Sequence, residues 1–166
     1  MGVEIRSPKK PLICTFFNKD LPTAFKTTYM DQTKPFIIVV DDDDEDRYLL
    51  NCSFTEIGLD DNVKFFGDAL QFIKYTELIS SLNVKPSLII LDYKMPYMNG
   101  KAVVNYLKSK PETESIPVAI LSGSTLTDDI KAKLHELGVS ACFEKGDDAS
   151  QLSNGLREIV KLATAV

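Results

Sequence analysis

Tryptophan is absent from the 166 residues, histidine occurs once, and the three cysteines, Cys14, Cys52 and Cys142, lie far apart with no CxxC pair. An odd and scattered set gives no disulfide framework, and one histidine without paired thiols gives no zinc site. No run of ~18 apolar residues occurs, and the N-terminus MGVEIRSPKK lacks the unbroken apolar stretch of a secretory signal. The expectation is a cytoplasmic protein with free thiols and no membrane attachment.

What is present is ordinary for a globular chain: 44% apolar and 26% charged residues. The length closes one core of ~100–150 residues and leaves a tail rather than a second full domain. Charge is uneven. Residues 1–34 hold six Lys/Arg against three Asp/Glu, and residues 35–166 hold 13 against 21, a core of net −8 behind a tail of net +3. So acidic a core repels phosphate backbones, which argues against nucleic acid as a partner and for a cation as a ligand.

From Pro35 onward short apolar runs alternate with amphipathic stretches. The runs are Phe36–Val40, Val63–Phe66, Ser87–Leu91, Ile116–Leu121 and Ser140–Phe143. Each is too short for a helix, and the continuous apolarity of LIIL and IPVAIL suits strands buried on both faces. Between them the helical period appears: Leu50, Phe54 and Ile57 before Gly58; Phe72, Tyr75, Ile79 and Leu82; Val103, Tyr106 and Leu107; Ile130, Leu134 and Leu137; then Leu152, Leu156, Ile159, Val160 and Ala163. Thr125-x-x-Asp128 and Asp148-x-x-Gln151 read as capping boxes for the last two helices. The pattern predicts an α/β fold, a doubly wound (βα)5 unit with a five-stranded parallel sheet over 35–166. Residues 1–34 break the rhythm and read as an N-terminal extension, either foreign to the protein or an arm that contacts a partner. With no residues left after the fifth helix, no output domain is expected.

The chemistry concentrates at strand ends. Asp41-Asp42-Asp43-Asp44-Glu45-Asp46 follows the first strand, at the carboxyl edge where open parallel sheets bind ligands. Alone, such a run is a solvated loop, and its mutual repulsion calls for counter-charge nearby. Asp92 ends the third strand in LIILDYKMPYMNG. If the first and third strands are neighbours, Asp41, Asp42 and Asp92 converge into a hard-oxygen site suited to Mg²⁺ or Mn²⁺, and an Asp there can act as nucleophile toward a phosphoryl group. Ser122 and Lys145 end the fourth and fifth strands and supply the donor and cation that a transferring phosphoryl group needs. His135, between Leu134 and Glu136, reads as a surface residue, and Gly100 as the turn into the third helix.

These motifs resemble the receiver domain of two-component response regulators, over about Pro35 to Val166. VVDDDDEDRYLL is similar to that family's first-strand motif, Arg47 included, and LIILDYKMPYMNG to its phospho-acceptor motif, with Met95, Pro96 and Gly100 in register. The resemblance implies a flavodoxin-like, CheY-like topology, and a stand-alone receiver phosphorylated at Asp92 by a histidine kinase or histidine phosphotransfer protein. It further implies Mg²⁺ (or Mn²⁺) held by Asp41, Asp42, Asp92 and the Lys94 carbonyl, a phosphoryl oxygen bound by Ser122 and the Gly123 amide, and an ion pair from Lys145 to the phosphate. Output would run to a downstream protein, or to a homodimer, through the fourth helix, fifth strand and fifth helix. Such a module phosphorylates and dephosphorylates itself but turns over no substrate.

Three positions depart from that pattern: Gly146 stands where proline usually follows the lysine, Cys142 where an aromatic switch residue is usual, and Lys94 where shorter polar residues are common. The enzyme alternative is a haloacid-dehalogenase-type phosphohydrolase using Asp41 in Asp41-x-Asp43, although Glu45 falls where Thr or Val is wanted. A flavodoxin-like cofactor carrier is weaker, because a loop of six carboxylates cannot cradle a flavin phosphate.

Overall fold

The computed structural model describes residues 34–82, 84–146 and 149–164. The expected extension, except for Lys34, and Asp148 of the second capping box lie outside those residues. Five strands alternate with five helices: β1 (Ile37–Val40), α1 (Asp44–Glu56), β2 (Val63–Phe66), α2 (Ala69–Ser81), β3 (Leu88–Asp92), α3 (Gly100–Lys108), β4 (Val118–Ser122), α4 (Asp128–Glu136), β5 (Ala141–Glu144) and α5 (Ala149–Thr164). All strand pairs are parallel, in the order β2-β1-β3-β4-β5. The doubly wound sheet expected from the sequence is the one observed.

Strand alternation sends successive residues to opposite faces. Ile37, Val39, Leu88, Ile90, Ala119 and Leu121 form one cluster with Leu50 and Phe54 of α1 and Leu152, Leu156 and Ile159 of α5. On the other face Phe66, the register partner of Val40, packs against Phe72 and Tyr75 of α2, with ring centroids 5.7 and 5.0 Å apart. Every residue of β1, β3 and β4 is buried, whereas the edge strands β2 and β5 are half-buried over most of their length. Burying each central Ile or Leu contributes about 1.5–3 kcal/mol, so the rigid part of the molecule is the part that carries the strand ends.

Helix starts are fixed by side-chain caps that satisfy otherwise orphaned amides. Asp43 accepts from Glu45 N and Asp46 N, Asp68 from Leu70 N and Gln71 N, Asn99 from Ala102 N, and Thr127 from Ile130 N. The cap of α4 is therefore Thr127, not Thr125 as the capping-box pattern predicted. Leu126 is buried, which moves the helix start two residues along, and the Thr125 hydroxyl instead donates to Glu144 Oε2 at 3.3 Å. Leu82, expected on the stripe of α2, caps that helix and is 41% exposed.

Burial pushes the Tyr75 phenol up to about 12, from an ordinary 10. A raised acid keeps its stabilising contribution below pH 10 and loses it as pH climbs from 10 toward 12. Spectrophotometric titration should show one tyrosine ionising last, together with loss of structure, and Tyr75→Phe should remove that late step. An unchanged titration curve in the variant would contradict it.

Candidate functional site

The register brings the predicted residues to one edge. Val40 pairs with Leu91, so Asp41 and Asp92 end neighbouring strands, and Ser122 pairs with Glu144, so Lys145 follows directly at the same level. The amide of Asp41 donates to Phe66 O at 3.0 Å and that of Lys145 to Ser122 O at 2.9 Å, which extends the ladder past the strand ends and orients both side chains. Asp41, Asp42, Asp43, Asp46, Asp92, Lys94, Gly123, Ser124 and Lys145 line a cleft of about 310 Å³.

At its centre sits the Lys145 ammonium, 2.7 Å from Asp41 Oδ2, 2.6 Å from Asp46 Oδ2 and 2.8 Å from Asp92 Oδ1. The Asp41 and Asp92 oxygens are thus within two ion-pair lengths of each other, as a shared cation requires. Burial opposes the ammonium's charge, but the hydrogen bonds to three carboxylates outweigh it and raise the Lys145 pKa above its ordinary 10.5. Burial also pushes the Asp41 carboxyl up, against the pull of Lys145 and the Asp43 amide. The remaining oxygens are held as well: Asp41 Oδ1 accepts the Asp43 amide at 3.0 Å, and Asp92 Oδ2 accepts the Lys94 amide at 2.5 Å.

Two features shape the walls. Arg47 donates to the Asp41 carbonyl at 2.6 Å and pairs with Asp44, tying α1 to the end of β1. At Gly100 a Cβ would stand 2.5 Å from the Asp92 carbonyl oxygen, so only glycine lets α3 begin this close to β3. Gly146 has φ +76°, a conformation closed to proline.

Not every predicted residue faces the cleft. Ser122 is buried at the right edge, but its hydroxyl donates to Ser124 O at 2.8 Å and accepts from Ser124 N at 3.3 Å, while Gly123 and Ser124 line the cleft. Phe143 does not replace the aromatic missing at Cys142: neighbouring strand residues point to opposite faces, and Phe143 packs on the cluster between the sheet, α1 and α5. Asp46 was not singled out from the acidic run. Its signal was its position three residues after a cap-forming Asp, where a helical side chain leans back toward the strand end.

Among the described residues no group of three carboxylate, imidazole or thiolate side chains is arranged to hold a metal ion, and the point on which Asp41, Asp46 and Asp92 converge is taken by the Lys145 ammonium. The donor chemistry nevertheless fits a hard divalent cation: the acidic groups at this edge are all oxygen donors, and the cation nearest them is a flexible lysine. Among the described residues no helix is long and apolar enough to cross a membrane.

Residues 37–157 match the family described as response regulator receiver domain. Response regulator Rcp1 of Synechocystis sp. is 25% identical over 140 residues, covering 82% of this chain and 90% of that protein. The Mn²⁺-bound form of Rcp1 superimposes with a TM-score of 0.65 at 23% identity, over 75% of this chain and 91% of that one. The phosphorylated cyanobacterial phytochrome response regulator RcpA superimposes with a TM-score of 0.70 at 26% identity, over 80% of this chain and 95% of that one. The probable methanogenesis regulatory protein FilR2 of Methanothrix harundinacea is 27% identical over 99 residues, 58% of this chain, and the match spans 64% of that protein.

Removing Lys145 leaves three carboxylates facing one another. Lys145→Met should destabilise the chelator-treated protein by about 1–3 kcal/mol at pH 7, less than for a sealed ion pair because the cleft is open to water. The raised lysine pKa makes its contribution complete below pH 10.5 and lost only as pH rises through the higher folded value. Millimolar Mg²⁺ should restore much of the loss. Thermal denaturation with and without Mg²⁺ checks both statements, and a variant as stable as the parent in chelator would contradict them.

Proposed function

The chain belongs to the response regulator receiver family, a family of two-component signalling, and on that premise we propose that it accepts a phosphoryl group on Asp92 from a histidine kinase or histidine phosphotransfer protein. The observation that carries this reading is the arrangement around Asp92: a strand-terminal carboxylate at the floor of an open cleft, paired with a lysine ammonium at 2.8 Å and flanked by further carboxylates.

A carboxylate oxygen of Asp92 attacks phosphorus, the new O–P bond forms as the N–P bond to the donor imidazole breaks, and the electron pair stays on the imidazole nitrogen. Later a water oxygen attacks the acyl phosphate, the O–P bond to Asp92 breaks, inorganic phosphate leaves, and the water's proton passes to solvent or phosphate. Asp41, Asp42, Asp92 and the Lys94 carbonyl would hold Mg²⁺ or Mn²⁺, which neutralises phosphoryl charge when bound. Lys145 pairs with the phosphoryl group, and the Gly123 amide, with the Ser122 hydroxyl once it turns from Ser124, donates to one of its oxygens. The module assists its own phosphorylation and hydrolysis and has no turnover substrate.

Incubation with acetyl phosphate and Mg²⁺ should add one phosphoryl group, mapped by mass spectrometry to Asp92, and Asp92→Asn should remain unmodified. Label on Asp41 instead would select the phosphohydrolase reading, which the family match disfavours.

Output is proposed to run through α4, β5 and α5, to a downstream protein or a second copy. Ser122-Gly123-Ser124 and the loop at Gly146 are the movable elements between the site and that face. A ligand shifts such an equilibrium only by its differential affinity for two states. Sedimentation with and without a beryllofluoride mimic at Asp92 should show stronger association with the mimic, and Cys142, lacking a bulky ring to report the change, should leave some association without it. Equal association constants would refute phosphorylation-dependent association through this face.

A further inference from the structure

The three carboxylates that hold Lys145 fall into two groups. Asp41 and Asp92 end neighbouring strands and belong to the proposed donor set of the divalent cation. Asp46 comes from the first turn of α1, is not in that set, and meets the ammonium at 2.6 Å, across 99 residues of chain. A divalent cation and an ammonium cannot share the space between Asp41 and Asp92, because like charges that close repel strongly. When the cation enters, the ammonium must give up those two contacts, and its flexible stem lets it do so by a small swing.

We propose that Asp46 is the seat that retains Lys145 when the cation displaces it, a positioning residue that keeps the ammonium within reach of a phosphoryl group on Asp92. This rests on the reading of the cleft as a divalent-cation site. The energetic consequence follows from counting partners in the two states. Without the cation Asp46 is one of three partners of Lys145, and with it Asp46 is the one that remains. Its loss therefore costs the cation-bound state more, and Asp46 raises cation affinity through the lysine without touching the ion. A residue shifts a binding equilibrium only by such a difference between states.

The test separates this route from the general effect of one negative charge fewer. Mn²⁺ affinity is measured from the electron paramagnetic resonance signal of free Mn²⁺, for the unaltered chain, Asp46→Ala, Lys145→Gln and the double variant. Asp46→Ala should weaken binding about tenfold in the unaltered background, the scale of one charge-assisted hydrogen bond, and no more than about threefold beside Lys145→Gln. Equal losses in the two backgrounds overturn the proposal and leave the cation reading intact, and a larger loss beside Lys145→Gln makes Asp46 a direct ligand and overturns it as well. No Mn²⁺ binding by the unaltered chain overturns the cation reading and the proposal together. A second measurement does not depend on the folding of Lys145→Gln. In Mg²⁺-saturated protein the Lys145 ammonium protons should exchange slowly with water in the unaltered chain and rapidly in Asp46→Ala, and equal exchange rates overturn the proposal.

Discussion

One ammonium among three carboxylates sets the terms for this molecule. Asp41, Asp46 and Asp92 come from β1, α1 and β3, and Lys145 from the end of β5. In the order β2-β1-β3-β4-β5 the lysine must pass β4 to reach β3, about two strand spacings or 9–10 Å away. A four-carbon stem ending in a compact charge makes that crossing, and no short side chain could. The ion cluster therefore presupposes the sheet order, the register and the level at which each strand stops, and an error in any of them would bury unpaired charge at a cost of several kcal/mol.

The backbone around the cluster is as constrained as the charges. Gly100 is set by a clash with the Asp92 carbonyl, because α3 starts directly beneath the strand end. Gly146 answers a different demand, a positive φ at the residue after Lys145. A proline there would fix φ near −65° and send the loop elsewhere. The departure at Gly146 is thus matched by a backbone conformation that proline cannot adopt. Cys142 lies one residue from Phe143 in β5, yet the two face opposite sides of the sheet, so neither can stand in for the other.

Much of this was legible in the sequence because burial on both faces leaves a strong mark. The continuous runs LIIL and IPVAIL located β3 and β4 to within a residue or two, and the residues closing them, Asp92 and Ser122, are the last residues of the observed strands. Strand ends in turn identified Lys145. Reading failed where two local solutions competed on equal terms. Thr125 and Thr127 are both adequate caps, and the choice depends on Leu126, whose side chain is buried in the fold. Ser122 was placed correctly, but a hydroxyl can rotate, and its partner within the loop is visible only in three dimensions. Asp46 was hidden because neighbouring acids look alike in sequence and only helix geometry separates them.

That geometry also explains how an acidic run of six can be tolerated. Asp43 caps α1 by accepting two amides, which hold its carboxyl below the usual carboxylate range. Asp44, Glu45 and Asp46 occupy the first turn, where the positive end of the helix dipole favours negative charge. Arg47 takes Asp44, and Lys145 takes Asp41 and Asp46. Asp43 is held by amides, Asp44 by Arg47, and Asp41 and Asp46 by Lys145, so most of the run is divided among distinct partners and does not form one diffuse negative patch. Lys145 spans two of those assignments, one on the strand and one on the helix, and also holds Asp92. The same ammonium therefore ties Asp92 at the end of β3 directly to the junction between β1 and α1.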